Sequence, residues 1–180
     1  MTFTFEKTEK IKDLIIFKPE IYYDFRGHNV ETYNSEYLSV IKQELALDIN
    51  FVTDSHSFSR KKVLRGFHSD ELTWKLVQCL HGDVYSVVMD SRKDSPTYLK
   101  YFTISLNDRS RVQILIPPLC LNAYLCMSDF CLYSYKLSHS YVEPENQITR
   151  KWNEFNIFWP IFNPITSERD KAVKLQITYD

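Results

Sequence analysis

Val63-Leu64-Arg65-Gly66-Phe67-His68, with Lys75 following within seven residues, is the stretch around which this sequence is organised. It sets an apolar lead-in, an arginine, a glycine, a histidine and a lysine into one short segment. The glycine gives it weight. The chain has only three glycines, Gly27, Gly66 and Gly82, in 180 residues, against an ordinary usage of roughly 7%. A chain so sparing with glycine places each where the backbone needs unusual freedom or must pass close to another segment. Two of the three follow an arginine, as Arg26-Gly27 and Arg65-Gly66. A guanidinium beside unhindered backbone suits an anion, because it grips phosphate or carboxylate with a two-pronged fork. Taken alone, the same pairs also fit two ordinary turns with solvated arginines.

Outward from this stretch the pattern is one of short strands. Residues 51–59 lead into 63–68. Residues 76–80 and 84–90 flank the His81-Gly82-Asp83 turn as a hairpin. Strands follow at 98–106 and 111–116, Pro117-Pro118 breaks the chain, and strands resume at 121–127 and 130–138. Toward the N-terminus, 12–18 reads as a strand, and a turn through Asp24-Phe25-Arg26-Gly27 leads to another short one. The one convincing helix is Ser35–Leu45, capped by Asn34 or Ser35, with Tyr37, Leu38, Ile41 and Leu45 at helical spacing. The last part, from 152 onward, is irregular, with a short turn or helix near 167–171. Short strands at regular spacing predict an all-β sandwich or jelly roll with one or two short helices, in one domain over 1–180.

Composition narrows the function classes. A formal net charge of −1 and a pI near 6.5 supply no field to gather nucleic acid. No apolar run approaches the roughly 20 residues of a membrane span. The opening Met1-Thr2-Phe3-Thr4-Phe5 lacks the basic-then-apolar order of a secretion signal, so a cytoplasmic setting is expected. Cys79, Cys120, Cys126 and Cys131 show no zinc-type spacing, and three of the four fall in apolar segments and read as small buried hydrophobes. The 12 tyrosines and 12 phenylalanines suit strands and also offer platforms for rings such as bases and sugars.

Several segments stand together in a recognisable order: Asp24-Phe25-Arg26-Gly27, Val63 to His68, Lys75-Leu76-Val77, His81-Gly82-Asp83-Val84, Asp94-Ser95-Pro96-Thr97, Tyr135-Lys136 and Ser167-Glu168-Arg169-Asp170. As an ordered set, running from about 12 to 174, they resemble the dTDP-4-dehydrorhamnose 3,5-epimerase family of cupin-type jelly rolls. His68-Ser69-Asp70, the short gap to Lys75 and the 92–100 segment look most like a branch acting on GDP-linked 4-keto-heptoses in bacterial capsule synthesis.

The resemblance implies a cofactor-free isomerase, usually a homodimer, acting on a nucleotide-diphosphate 4-keto sugar, with GDP expected over dTDP. The C4 ketone acidifies the neighbouring carbons, so the site needs a base near neutrality, a donor for the enolate oxygen and an acid across the ring. By carry-over, His68 is the base, Asp170 its orienting carboxylate, Lys75 the enolate stabiliser and Tyr135 the acid on the far face. Arg26 and Arg65 would bind the pyrophosphate, Glu31 would lie near the nucleotide, and Ser57 and Asn122 complete the substrate-binding set. Taken singly, each of these residues has an ordinary structural explanation. Asn122 marks a departure: Leu121-Asn122-Ala123-Tyr124 stands where the family has Ala-His-Gly-Phe, which leaves inversion at C3 alone as an alternative to C3 and C5. Three other readings stay open. They are a 4-keto-sugar ketoisomerase, a metal-dependent oxygenase built on His68, Asp70 and His139, and a non-catalytic sugar-nucleotide binder.

Overall fold

A computed structural model describes residues 1–140 and 143–171 of the chain. In chain order its elements begin with strands β1 (Phe3–Lys7), β2 (Ile15–Pro19), β3 (Ile21–Asp24) and β4 (Gly27–Val30), then helix α1 (Ser35–Leu45). Strands β5 (Thr53–Arg60), β6 (Leu64–Ser69), β7 (Lys75–His81) and β8 (Asp83–Asp90) follow. Next come β9 (Tyr101–Asn107), β10 (Gln113–Ile116), β11 (Cys120–Cys126) and β12 (Phe130–Leu137). A short β13 (Ile148–Thr149) and helix α2 (Glu168–Lys171) close the described chain. Two sheets face each other, one in the order β1-β2-β10-β7-β12-β5 and the other β13-β6-β11-β8-β9, while β3 and β4 form a separate hairpin. This is a jelly roll, one of the two architectures the strand pattern allows and the one the resemblance implies.

The alternation of side chains explains why several strands read as continuous apolar runs. Leu14 and Ile16, Ile114 and Ile116, and Val77 and Cys79 enter the core between the sheets. Their neighbours Ile15, Phe17, Leu115 and Leu76 emerge on the other face of the same sheet, under Tyr37, Val40 and Ile41 of α1. The second sheet does likewise. Val84, Val88, Cys120 and Tyr124 point inward, whereas Phe67, Val87, Met89, Leu121 and Ala123 face outward under Ile157, Phe155 and Trp159. Each sheet is thus covered on both faces, and a strand covered on both faces has few polar positions to spare.

Several expectations shift at their edges. The strand expected over 12–18 lies at Ile15–Pro19, and its partner β1, Phe3–Lys7, was not anticipated as a strand. β1 pairs with β2, Phe3 opposite Pro19. The strands expected from 98 and 111 begin only at Tyr101 and Gln113. Leu99 and Arg111 adopt φ of 60° and 56°, left-handed conformations that extended backbone cannot include. Asn34, not Ser35, caps α1, its side chain accepting the Glu36 amide at 2.8 Å. All four cysteines are buried and free.

Candidate active site

The same alternation builds a cavity of about 630 Å³ between the sheets. Lys75 has the inward parity of Val77 and Cys79 on β7, and Tyr135 that of Cys131 and Tyr133 on β12. On the opposite sheet Asn122 has the inward parity of Cys120 and Tyr124. β6 needs a special device, because Arg65 and His68, three residues apart, both line the cavity. The register supplies it: His68 pairs with Asn122 and Arg65 with Tyr124, so three steps on β6 oppose two on β11. Gly66 sits in this bulge with φ of +118°, and a Cβ there would lie 2.5 Å from the Asn122 carbonyl oxygen. That is the close approach that the scarcity of glycine foretold.

His68 leans on a carboxylate delivered from far along the chain. The segment after β13 pairs back on β6, with Phe67 and Arg150 exchanging backbone bonds of 2.9 and 3.0 Å and Leu64 donating to Ile165 at 2.9 Å. It ends in α2, whose Asp170 is 3% exposed and places Oδ1 2.7 Å from His68 Nε2. The Gly66 amide donates to Asp170 Oδ2 at 3.4 Å, and the Asp170 amide donates to the Ser167 hydroxyl at 3.1 Å. Burial alone would raise the Asp170 carboxyl. The His68 hydrogen bond and charge, with Gly66 and Ser167, outweigh burial and hold it below the ordinary carboxylate value. The histidine is therefore fixed in orientation beside a lasting negative charge.

On the facing wall Lys75 is largely enclosed, with Asp70 Oδ2 at 3.5 Å from Nζ. Burial holds its ammonium below the ordinary lysine value, while Asp70 and the Cys120 thiol pull the other way. Tyr135 is half-buried, next to the ring of Tyr133 at 6.4 Å. Ser57 also lines the cavity, opposite Tyr133 in the β5–β12 register. Arg65 stands exposed at the rim, its Nε donating to Ser59 Oγ at 3.0 Å and its Nη2 to the Phe58 carbonyl at 3.2 Å.

Seven of the nine expected residues, His68, Asp170, Lys75, Tyr135, Arg65, Asn122 and Ser57, thus share one cavity. Arg26 and Glu31 do not line it. Arg26 lies on the β3–β4 turn, its side chain 76% exposed and paired with Asp24. Glu31 accepts bonds from Thr2 and Asn34, outside the cavity lining. Residues missed earlier are Tyr124, Tyr133, Arg169 and Asp70 as a wall residue. Tyr124 stacks on Tyr133 at 4.1 Å, and burial pushes its hydroxyl up to about 12. The period-two spacing of Tyr133 and Tyr135 was the signal that could have found Tyr133.

The iron-site reading finds no support in the arrangement. His68 turns to Asp170, and Asp70 Oδ1 accepts the Leu72 and Thr73 amides at 3.0 and 2.7 Å. Among the described residues no group of three or more histidine, cysteine or acidic side chains could hold a metal. Nor is any described helix long and apolar enough to cross a membrane.

Comparison with known proteins bears on family and fold. A family model described as dTDP-4-dehydrorhamnose 3,5-epimerase matches residues 8–176. The dTDP-4-dehydrorhamnose 3,5-epimerase of Shigella flexneri is 35% identical over 168 residues, covering 91% of each chain. That of Methanothermobacter thermautotrophicus is 35% identical over 179 residues, 96% of this chain and 94% of its own. Among solved structures, the dTDP-6-deoxy-D-glucose-3,5-epimerase of Legionella pneumophila Philadelphia 1, in complex with dTDP-4-keto-L-rhamnose, superposes with a TM-score of 0.87. It is 30% identical, over 99% of this chain and 95% of that one.

Proposed function

The chain belongs to the dTDP-4-dehydrorhamnose 3,5-epimerase family, and on that premise we propose that it epimerises a nucleotide-diphosphate 4-keto sugar without a cofactor. The observation that carries this reading is the position of His68 and Tyr135 on opposite sheets of one cavity. Inversion requires a proton to leave one face of the ring and another to arrive on the opposite face, and two facing walls meet that requirement.

In this reading His68 removes the proton next to the ketone, and Asp170 orients the imidazole and stabilises its charged form. Lys75 stabilises the oxygen as negative charge moves onto it. Tyr135 delivers the new proton from the other side. Arg65 at the rim meets the diphosphate, and Asn122 and Ser57 contact the sugar. The enzyme works as a homodimer in a cytoplasmic setting. The β3–β4 hairpin supports the dimer: Phe25 is 98% and Tyr23 71% exposed, and Arg26 lies outside the lining of its own chain's cavity. A second copy would cover these aromatic rings and bring Arg26 to a diphosphate.

The relatives name dTDP-linked sugars, and none of those compared names a GDP-linked one. A dTDP-4-keto-6-deoxyhexose, inverted at C3 and C5, is accordingly the first substrate to offer. A GDP-4-keto-heptose in capsule synthesis is the second reading, favoured by Asn122 and by the Asp70-clamped loop beside the sugar site. Turnover of the two substrates by the same preparation tests the assignment. A kcat/KM at least tenfold higher for one names the preferred nucleotide sugar, and failure to turn over either contradicts the epimerase reading.

A further inference from the structure

We propose that Asp70 is a positioning residue, one that keeps the Lys75 ammonium charged and aimed into the cavity. The proposal rests on the role given above to Lys75. Only five residues, 70–74, join β6 to β7, the strands that carry His68 and Lys75 on facing sheets. Asp70 stands at the head of this loop, 6% exposed. Its Oδ1 accepts both the Leu72 and Thr73 amides, and its own carbonyl accepts the Leu119 amide at 2.8 Å. The far end of the loop is pinned as firmly, Trp74 donating its amide to Ser138 Oγ at 2.9 Å and accepting the Ser138 amide at 3.0 Å. With Oδ1 engaged in the loop, Oδ2 is directed to Lys75 Nζ at 3.5 Å.

The arrangement addresses a difficulty intrinsic to the site. An enclosed ammonium loses its hydration, which favours the neutral amine, and a neutral amine stabilises an enolate poorly. A carboxylate held at fixed distance by a braced loop restores the preference for charge. Asp70 from the loop and the Cys120 thiol of β11 act on Lys75 directly, Tyr135 stands beside it on the neighbouring β12, and His68 and Asp170 line the opposite side of the shared cavity. Asp170 is engaged by His68, whereas Asp70 is the carboxylate paired with Lys75 Nζ. Burial would raise its carboxyl, but Lys75, the Thr73 hydroxyl and the two loop amides bring it below the ordinary value. It therefore stays ionised wherever the enzyme works.

The test is an NMR titration of protein labelled with ¹³C at lysine Cε, comparing wild type with Asp70→Asn. Asparagine keeps an oxygen for the two amides and removes only the charge, so a merely structural role would leave Lys75 unmoved. The expected result is that Lys75 titrates lower in Asp70→Asn, by about one pH unit or more, with the alkaline limb of kcat/KM moving alike. An unchanged Lys75 titration overturns the proposal. Should Asp70→Asn fold poorly, Lys75→Met read through aspartate ¹³Cγ serves instead: Asp70 must titrate higher there, and an unchanged Asp70 overturns the proposal equally. Full turnover in Lys75→Met would refute the role of Lys75 itself and so Asp70's place in the site, a failure distinct from an unmoved titration.

Discussion

His68 and Asp170 meet across 102 positions of sequence, and the pair makes predictions about both catalysis and pH. If His68 is the base, His68→Asn should lower kcat by roughly 10²–10⁴-fold, the usual scale of general-base catalysis, while leaving nucleotide affinity near wild type by calorimetry. Asp170→Asn should cost kcat less than this and change KM little. Asp170 is depressed in the folded protein, so its contribution to stability is complete above the ordinary carboxylate value and is lost as pH falls through the depressed one. Urea melts of wild type and Asp170→Asn should therefore differ near neutrality and converge in acid. A gap that widens in acid would contradict the pairing. Lys75 has the same sign, over a higher pH range. Its lowered value means that the folded protein sheds this proton first, so its contribution to stability rises with pH between the lowered and the ordinary lysine values. At the rim, Arg65→Ala should weaken binding by about 1.5–3 kcal/mol, roughly tenfold to a hundredfold in KM.

At the scale of elements, the bulge on β6 and the cap of α1 are the places to probe. Gly66→Ala places a methyl against the backbone of Asn122 and Ala123 at a positive φ. It should destabilise by on the order of 3 kcal/mol, and any folded fraction should lose activity, because Arg65 and His68 depend on that bulge for a common direction. Asn34→Ala removes the acceptor for the Glu36 amide. It should cost about 1 kcal/mol in urea melts with kcat unchanged, since α1 covers the outer face of a sheet away from the cavity. These elements also show what could be read in advance. The helix, the Gly82 hairpin and most strands were legible because each is local, marked by periodicity and a turn residue. β1 was not, since Phe3 and Phe5 acquire meaning only against β2 and α1. Seven of the nine site residues were placed together by their resemblance to a known family. What sequence could not convey was the direction in which Asp70 and Tyr133 point, because that follows from register and parity across strands distant in the chain. The exposed hairpin that places Arg26 outside the lining of its own chain's cavity is likewise visible only in three dimensions.

At the scale of the whole molecule, two sheets provide the two walls of one cavity, and each sheet is braced from outside, one by α1 and the other by the segment that ends in Asp170. In the proposed homodimer the exposed hairpin would meet a second copy. Light scattering should return twice the 21.5 kDa chain mass, and Arg26→Ala should weaken substrate binding although it stands outside its own cavity. The most direct measurement of the two-wall account is proton NMR in D₂O of a turning-over sample, wild type against Tyr135→Phe. Wild type is predicted to admit deuterium at C3, and at C5 if both centres invert, with inverted product accumulating. Tyr135→Phe is predicted to keep exchange, because His68 still removes and returns the proton on one face, while inversion falls at least a hundredfold. Exchange lost in step with inversion, or inversion left intact, would contradict the placement of base and acid on opposite walls.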